Sequence, residues 1–108
     1  MAKTSAHQSN KYFLLAQPQR SLDFHKAGIL THQDIVALTK RFLERSSLEG
    51  LSKILIITGK GLHSTKGQAV IKPLVENILK QNEFVKTYSW APRHRGGDGA
   101  FEINLQQN

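Results

Sequence analysis

The side chains able to do chemistry fall in three short stretches: Asp23-Phe24-His25, Thr58-Gly59-Lys60-Gly61-Leu62-His63 and Arg93-His94-Arg95-Gly96-Gly97-Asp98-Gly99. A carboxylate two residues from an imidazole suits proton transfer: histidine titrates near neutrality, and an adjacent carboxylate can orient the ring and favour its charged form. The second stretch follows an apolar run, "KILII", and its backbone amides and lysine could approach a phosphate. Its spacing does not match a nucleotide-enclosing loop. The fifth and sixth positions after Gly59 are Ser64 and Thr65, and after Gly61 they are Lys66 and Gly67, where a P-loop needs Gly-Lys. The third glycine of a dinucleotide fingerprint is also out of place. What remains is a cationic loop that can meet a phosphate without enclosing a nucleotide. The third stretch is basic, rich in glycine and expected to be exposed.

Each feature also has a plainer reading. Asp23 can cap a turn at the end of a strand. The glycines can serve positive φ angles in a tight turn, which is expected of Gly97 and Gly99. Lys60, Arg93 and Arg95 can be solvated charges, although their place on two loops at one edge favours phosphate contact. Trp90 could stack a base, but packing against the N-terminal segment is the stronger expectation. His7 and His32 read as surface residues. Asp23 and His25 could contribute to a metal site, with Mg²⁺ the ion to test, but two ligands are too few to specify one.

With 108 residues, of which 39% are hydrophobic, the chain suits one compact domain with a modest core. The absence of cysteine excludes a disulfide framework, a thiolate metal site and a cysteine nucleophile, and it fits a reducing compartment. A cytoplasmic location is expected. The only apolar run near the N-terminus, "YFLLA", is far too short for a secretory core or a membrane span. A net charge of +7 points to a polyanionic partner, RNA or DNA, although it would also serve solubility alone.

Hydrophobic period supplies the elements that position these residues. "SLDFH" alternates, setting Leu22 and Phe24 on one face and Asp23 and His25 on the other, the pattern of a half-buried strand. Thr31 and Asp34 form a capping box before a helix over about 32–47, whose stripe includes Ile35, Leu38 and Phe42. "KILIIT" is a central strand. A second helix is expected over about 71–82, because Pro73 suits only a first turn; the preceding loop then exceeds ten residues. "VKTYSWA" and "AFEINL" are two final strands joined by "PRHRGGDG". The order is β-α-β-α-β-β after an N-terminal extension, residues 1–20, partly docked or disordered. This predicts an α/β fold with four strands and two helices, a parallel core for the first strands, and both helices on one face if the chain progresses one way along the sheet. Parallel first strands bring Asp23 and His25 to the same carboxyl edge as Thr58 to Lys60.

Taken together and in order, "LDFH", "ITGKGLHS" and "GGDGAFEINL" resemble the Smr (small MutS-related) domain family, over residues 21 to 105. The resemblance implies an α/β two-layer sandwich, β-α-β-α-β-β with a mixed four-stranded sheet and two helices, similar to the C-terminal domain of the third bacterial translation initiation factor. It also implies nucleic-acid binding, with endonuclease activity in many members. The family's leucine-aspartate-x-histidine motif falls on Leu22, Asp23 and His25, its Gly-x-Gly on Gly59 and Gly61, and its late glycine turn on Gly96, Gly97 and Gly99. Two positions depart from the commoner pattern: Lys26 stands where many members have glycine, and Thr58 where many have histidine. A mechanism needing two histidines would have to use His63 or His94.

The resulting expectation is an RNA or DNA endonuclease, with RNA ahead, in which His25 and Asp23 are catalytic. Lys26, Thr58, Gly59, Lys60, Gly61, His63, Arg93, Arg95, Gly96 and Gly97 would bind nucleic acid. The alternative is a non-catalytic module that binds nucleic acid or the ribosome. Oligomeric state, and whether the chain acts alone or within a larger protein, have no signal in the sequence.

Overall fold

A computed structural model of the chain describes residues 17–26, 28, 30–59 and 66–107. Four strands, β1 (Ser21–Asp23), β2 (Lys53–Ile57), β3 (Val85–Trp90) and β4 (Ala100–Leu105), are interleaved with two helices, α1 (His32–Leu48) and α2 (Lys66–Gln81). They occur in the expected order. The strands form one mixed sheet in the spatial order β1-β2-β4-β3. β1 pairs parallel with β2, and β4 pairs antiparallel with both β2 and β3. β3 therefore runs in the same direction as β1 and β2, and all three end at one edge. The short connection from β3 explains this, because it returns the chain as a hairpin and places apolar β4 in the middle of the sheet.

Both helices cover the same face. Ile35 and Leu43 of α1, with Ile71, Val75 and Leu79 of α2, pack against Phe24, Ile54, Ile56, Phe101 and Ile103. The alternate residues of β2 and β4 face the other way, where Leu55, Ala91 and Ala100 form a second, smaller cluster. α1 begins with both halves of its capping box: Asp34 N–H donates to Thr31 Oγ1 at 3.0 Å, and Thr31 N–H donates to Asp34 Oδ2 at 3.1 Å.

Two expectations need correction. α2 starts at Lys66 rather than near residue 71, so Pro73 lies inside it and fewer than ten residues separate it from β2. Pro73 is on the exposed side, where water can serve the carbonyl that it leaves unbonded. Its cost of about 3 kcal/mol is offset by burial of Ile71, Val75, Ile78 and Leu79 at about 1.5–3 kcal/mol each. β1 ends at Asp23, and His25 sits in the turn that follows. Trp90 is partly exposed; its ring stacks 4.6 Å from that of Phe101, with Lys72 Nζ 4.4 Å from its centre, and its expected contact with the N-terminal segment lies outside the described residues. Residues 1–16, including His7 and the expected docking run Tyr12 to Leu15, lie outside the described residues.

Candidate functional site

The carboxyl edge of β1, β2 and β3 is where the three stretches meet. The backbone N–H of Phe24 donates to the Ile57 carbonyl at 2.8 Å, which prolongs the β1–β2 pairing by one residue. The chain then turns away, and Asp23 Oδ1 accepts the backbone N–H of His25 at 2.9 Å. The Asp23 carboxylate thus secures the backbone that carries His25. The imidazole is exposed and rests on Gly59: a Cβ added to Gly59 would stand 3.0 Å from His25 Nδ1. Gly59 also has φ +81°, a region that L side chains rarely adopt. Glycine there satisfies the backbone and lets the ring close on it, so the first two motifs share a contact.

The third stretch joins them through one carbonyl. Gly99 O accepts the backbone N–H groups of Thr58 and Gly59, each at 2.9 Å, and the Thr58 hydroxyl at 3.3 Å. Thr58 is fully buried and its hydroxyl also donates to Gly59 O at 2.9 Å. It was expected to contact nucleic acid, but its position makes it a tie between β2 and the glycine turn. The Gly59 amide is likewise committed to Gly99, so it does not serve as a phosphate donor in this arrangement.

The connection from β3 to β4 consists of two 3-10 turns, Arg93–Arg95 and Gly97–Gly99. The positive φ angles fall on Gly96 (+118°) and Gly97 (+54°), whereas Gly99, expected to need one, is buried and acts through its carbonyl. At Gly96 an added Cβ would stand 2.9 Å from that of Ala100. Lys26, Arg93 and His94 are exposed. Arg95 is drawn inward instead: its Nε donates to Glu102, a buried carboxylate that also takes Lys53 Nζ at 3.3 Å. Its other end meets His94 Nε2 at 2.9 Å. A guanidinium only donates, so His94 accepts there with a lone pair. Sequence reasoning missed Glu102, although an acidic residue amid the apolar alternation of "AFEINL" was a usable signal.

Lys60, Gly61 and His63 lie outside the described residues. Among the described residues, no three His, Asp or Glu side chains converge to hold a metal ion. No helix among them is long and apolar enough to cross a membrane.

The Smr domain model matches residues 22–106. This chain belongs to the Smr domain family. The endonuclease MutS2 of Lactobacillus gasseri is 36% identical over 75 residues, which are 69% of this chain and 9% of the relative. The probable DNA endonuclease SmrA of Escherichia coli is 30% identical over 66 residues, 61% of this chain and 35% of that protein. The chain therefore spans a small part of these relatives. YdaL, a stand-alone small MutS-related protein from Escherichia coli, superposes with a TM-score of 0.70 at 25% identity, covering 81% of this chain and 64% of that one. The Smr domain of Thermus thermophilus MutS2 has the same fold, with a TM-score of 0.63 at 22% identity over 80% of this chain and 94% of the other.

Proposed function

We propose that this domain cleaves phosphodiester bonds in RNA or DNA, RNA ahead of DNA, in the cytoplasm. The observation that supports this most is the exposed His25 imidazole seated on Gly59, at an edge shared by Lys26, Arg93 and His94. His25 serves as general base or acid at the scissile phosphate. Asp23 is a positioning residue, acting through the backbone of His25. Lys26, Arg93 and Lys60 hold the substrate backbone, and Lys60 is suited to neutralise charge that develops on the phosphate. Arg95, held by Glu102, shapes the loop that presents Arg93 and His94.

A second reading is a nucleic-acid- or ribosome-binding module without catalysis. It is favoured by Thr58, which stands buried where many relatives would carry a second histidine. One experiment separates the two: matched labelled RNA and DNA oligonucleotides, single- and double-stranded, incubated with the protein in Mg²⁺ or in EDTA. Cutting is expected, with a cyclic phosphate on RNA marking 2′-hydroxyl attack and a 5′-phosphate marking activated water. Binding without any cut product across the panel would leave the module reading in its place.

A further inference from the structure

Strand β1 is an edge of the sheet and lies beside α1. Between them runs an open groove of about 610 Å³, lined by Arg20 and Leu22 from the strand side and by Leu38, Arg41, Phe42 and Arg45 from the helix. Positions 38, 41, 42 and 45 form one row at helical spacing, so both arginines rim the same groove. Arg41 and Arg45 are exposed, while Leu22, Leu38 and Phe42 are half-buried and form an apolar floor. The fourth charged group is Glu49, which is ion-paired with Arg20. The hydrogen bond from Arg20, opposed by desolvation and aided by the charges of Arg20 and Arg45, holds the Glu49 carboxyl below the usual carboxylate range. The groove thus carries three guanidinium groups and one carboxylate.

We propose that this β1–α1 groove is a subsite for single-stranded nucleic acid, in which Arg41 and Arg45 take successive phosphates and the apolar floor takes an unstacked base. The inference rests on the reading of the carboxyl edge as a nucleic-acid site, and extends it to a surface whose charged residues lie outside the three motifs. Leu22 of the groove lies on β1, which runs toward the carboxyl edge and ends two residues before His25, so a strand lying in the groove points toward that edge. Arg41 and Arg45 are one helical turn apart, about 6 Å along the axis, close to the phosphate spacing of an extended single strand. Guanidinium rims above an apolar and aromatic floor are the recurring chemistry of single-strand recognition. A stacked duplex could place its phosphates on the rim but could not offer a base to the floor.

The test measures affinity against salt for labelled single-stranded and duplex oligonucleotides, in the full chain carrying His25→Ala so that cleavage does not consume the probe. Replacing Arg41 and Arg45 together by Ala is expected to lessen the slope of log affinity against log salt by about 1.4 on single strands, at about 0.7 per lost phosphate contact. Glu49→Gln is expected to act in the opposite sense, tightening single-strand binding by removing the opposing charge and releasing Arg20. Slopes and affinities unchanged in both variants, while the parent binds, would overturn the groove and leave the carboxyl edge standing. A parent chain that binds neither RNA nor DNA would overturn the reading of the edge itself.

Discussion

The turn after β1 holds the His25 ring against Gly59, and the proposed role of His25 at a phosphate makes substitutions here informative in different ways. His25→Ala removes the proton-transfer group from an exposed position, so thermal unfolding is expected to stay near wild type while cleavage falls by about 10² to 10⁴. Asp23→Ala removes the acceptor of the His25 backbone N–H, whereas Asp23→Asn retains an oxygen for it. Cleavage is expected to fall more in the alanine variant than in the asparagine variant, and equal losses would count against positioning through the backbone. Gly59→Ala places a methyl group against Nδ1 and forces φ +81° on an L residue, at about 1–2 kcal/mol. A lowered midpoint in denaturant and a changed His25 imidazole NMR shift should appear together.

At the level of elements, the β3–β4 connection is held by charge as well as by turn geometry. Glu102 is buried between Lys53 of β2 and Arg95 of the connection. Glu102→Ala strands both cations, although each can swing toward water, and a loss of roughly 1–3 kcal/mol is expected, below the cost of breaking a fully enclosed pair. Faster amide exchange confined at first to residues 92–99 would locate the loss there. On the helix face, Tyr88 of β3 donates to Glu76 of α2 at 3.3 Å. Desolvation first, then the charge and hydrogen bond of Glu76, raise the Tyr88 pKa above its ordinary 10.0. A raised folded-state pKa means the folded state holds the proton more tightly than the unfolded chain. Stability from this tie is complete below about pH 10 and is lost as pH rises through the folded value. Phenolate absorbance should show one of the chain's two tyrosines titrating late, and Tyr88→Phe should remove that late step.

For the whole molecule, the net charge of +7 predicts binding that weakens steeply with salt, but the structure divides the cations into two groups. Arg93 and Lys26 are exposed at the edge, whereas Arg95 is engaged by Glu102. Arg93→Ala and Lys26→Ala should each lessen the duplex salt slope by about 0.9. Arg95→Ala should cost stability more than slope, because its loss leaves a buried carboxylate short of a partner. A drop in slope for Arg95 as large as that for Arg93 would return it to the interface.

Chain-local periods were enough to reveal the elements, the capping box of α1, the shared edge and the family motifs, because alternation, helical spacing and glycine placement are written over a few consecutive residues. Tertiary structure alone decided what depends on partners distant in sequence. The insertion of β4 between β2 and β3 depends on pairing across more than forty residues, from Ile57 to Ala100. The start of α2 before Pro73 depends on apolar packing against a sheet, which local propensity does not contain. Thr58 looked like a contact residue until Gly99 supplied an acceptor for it, and Arg95 looked free until Glu102 lay beneath it. The row of Arg41 and Arg45 is visible as helical spacing, but only the β1 edge beside it turns that row into the wall of a groove.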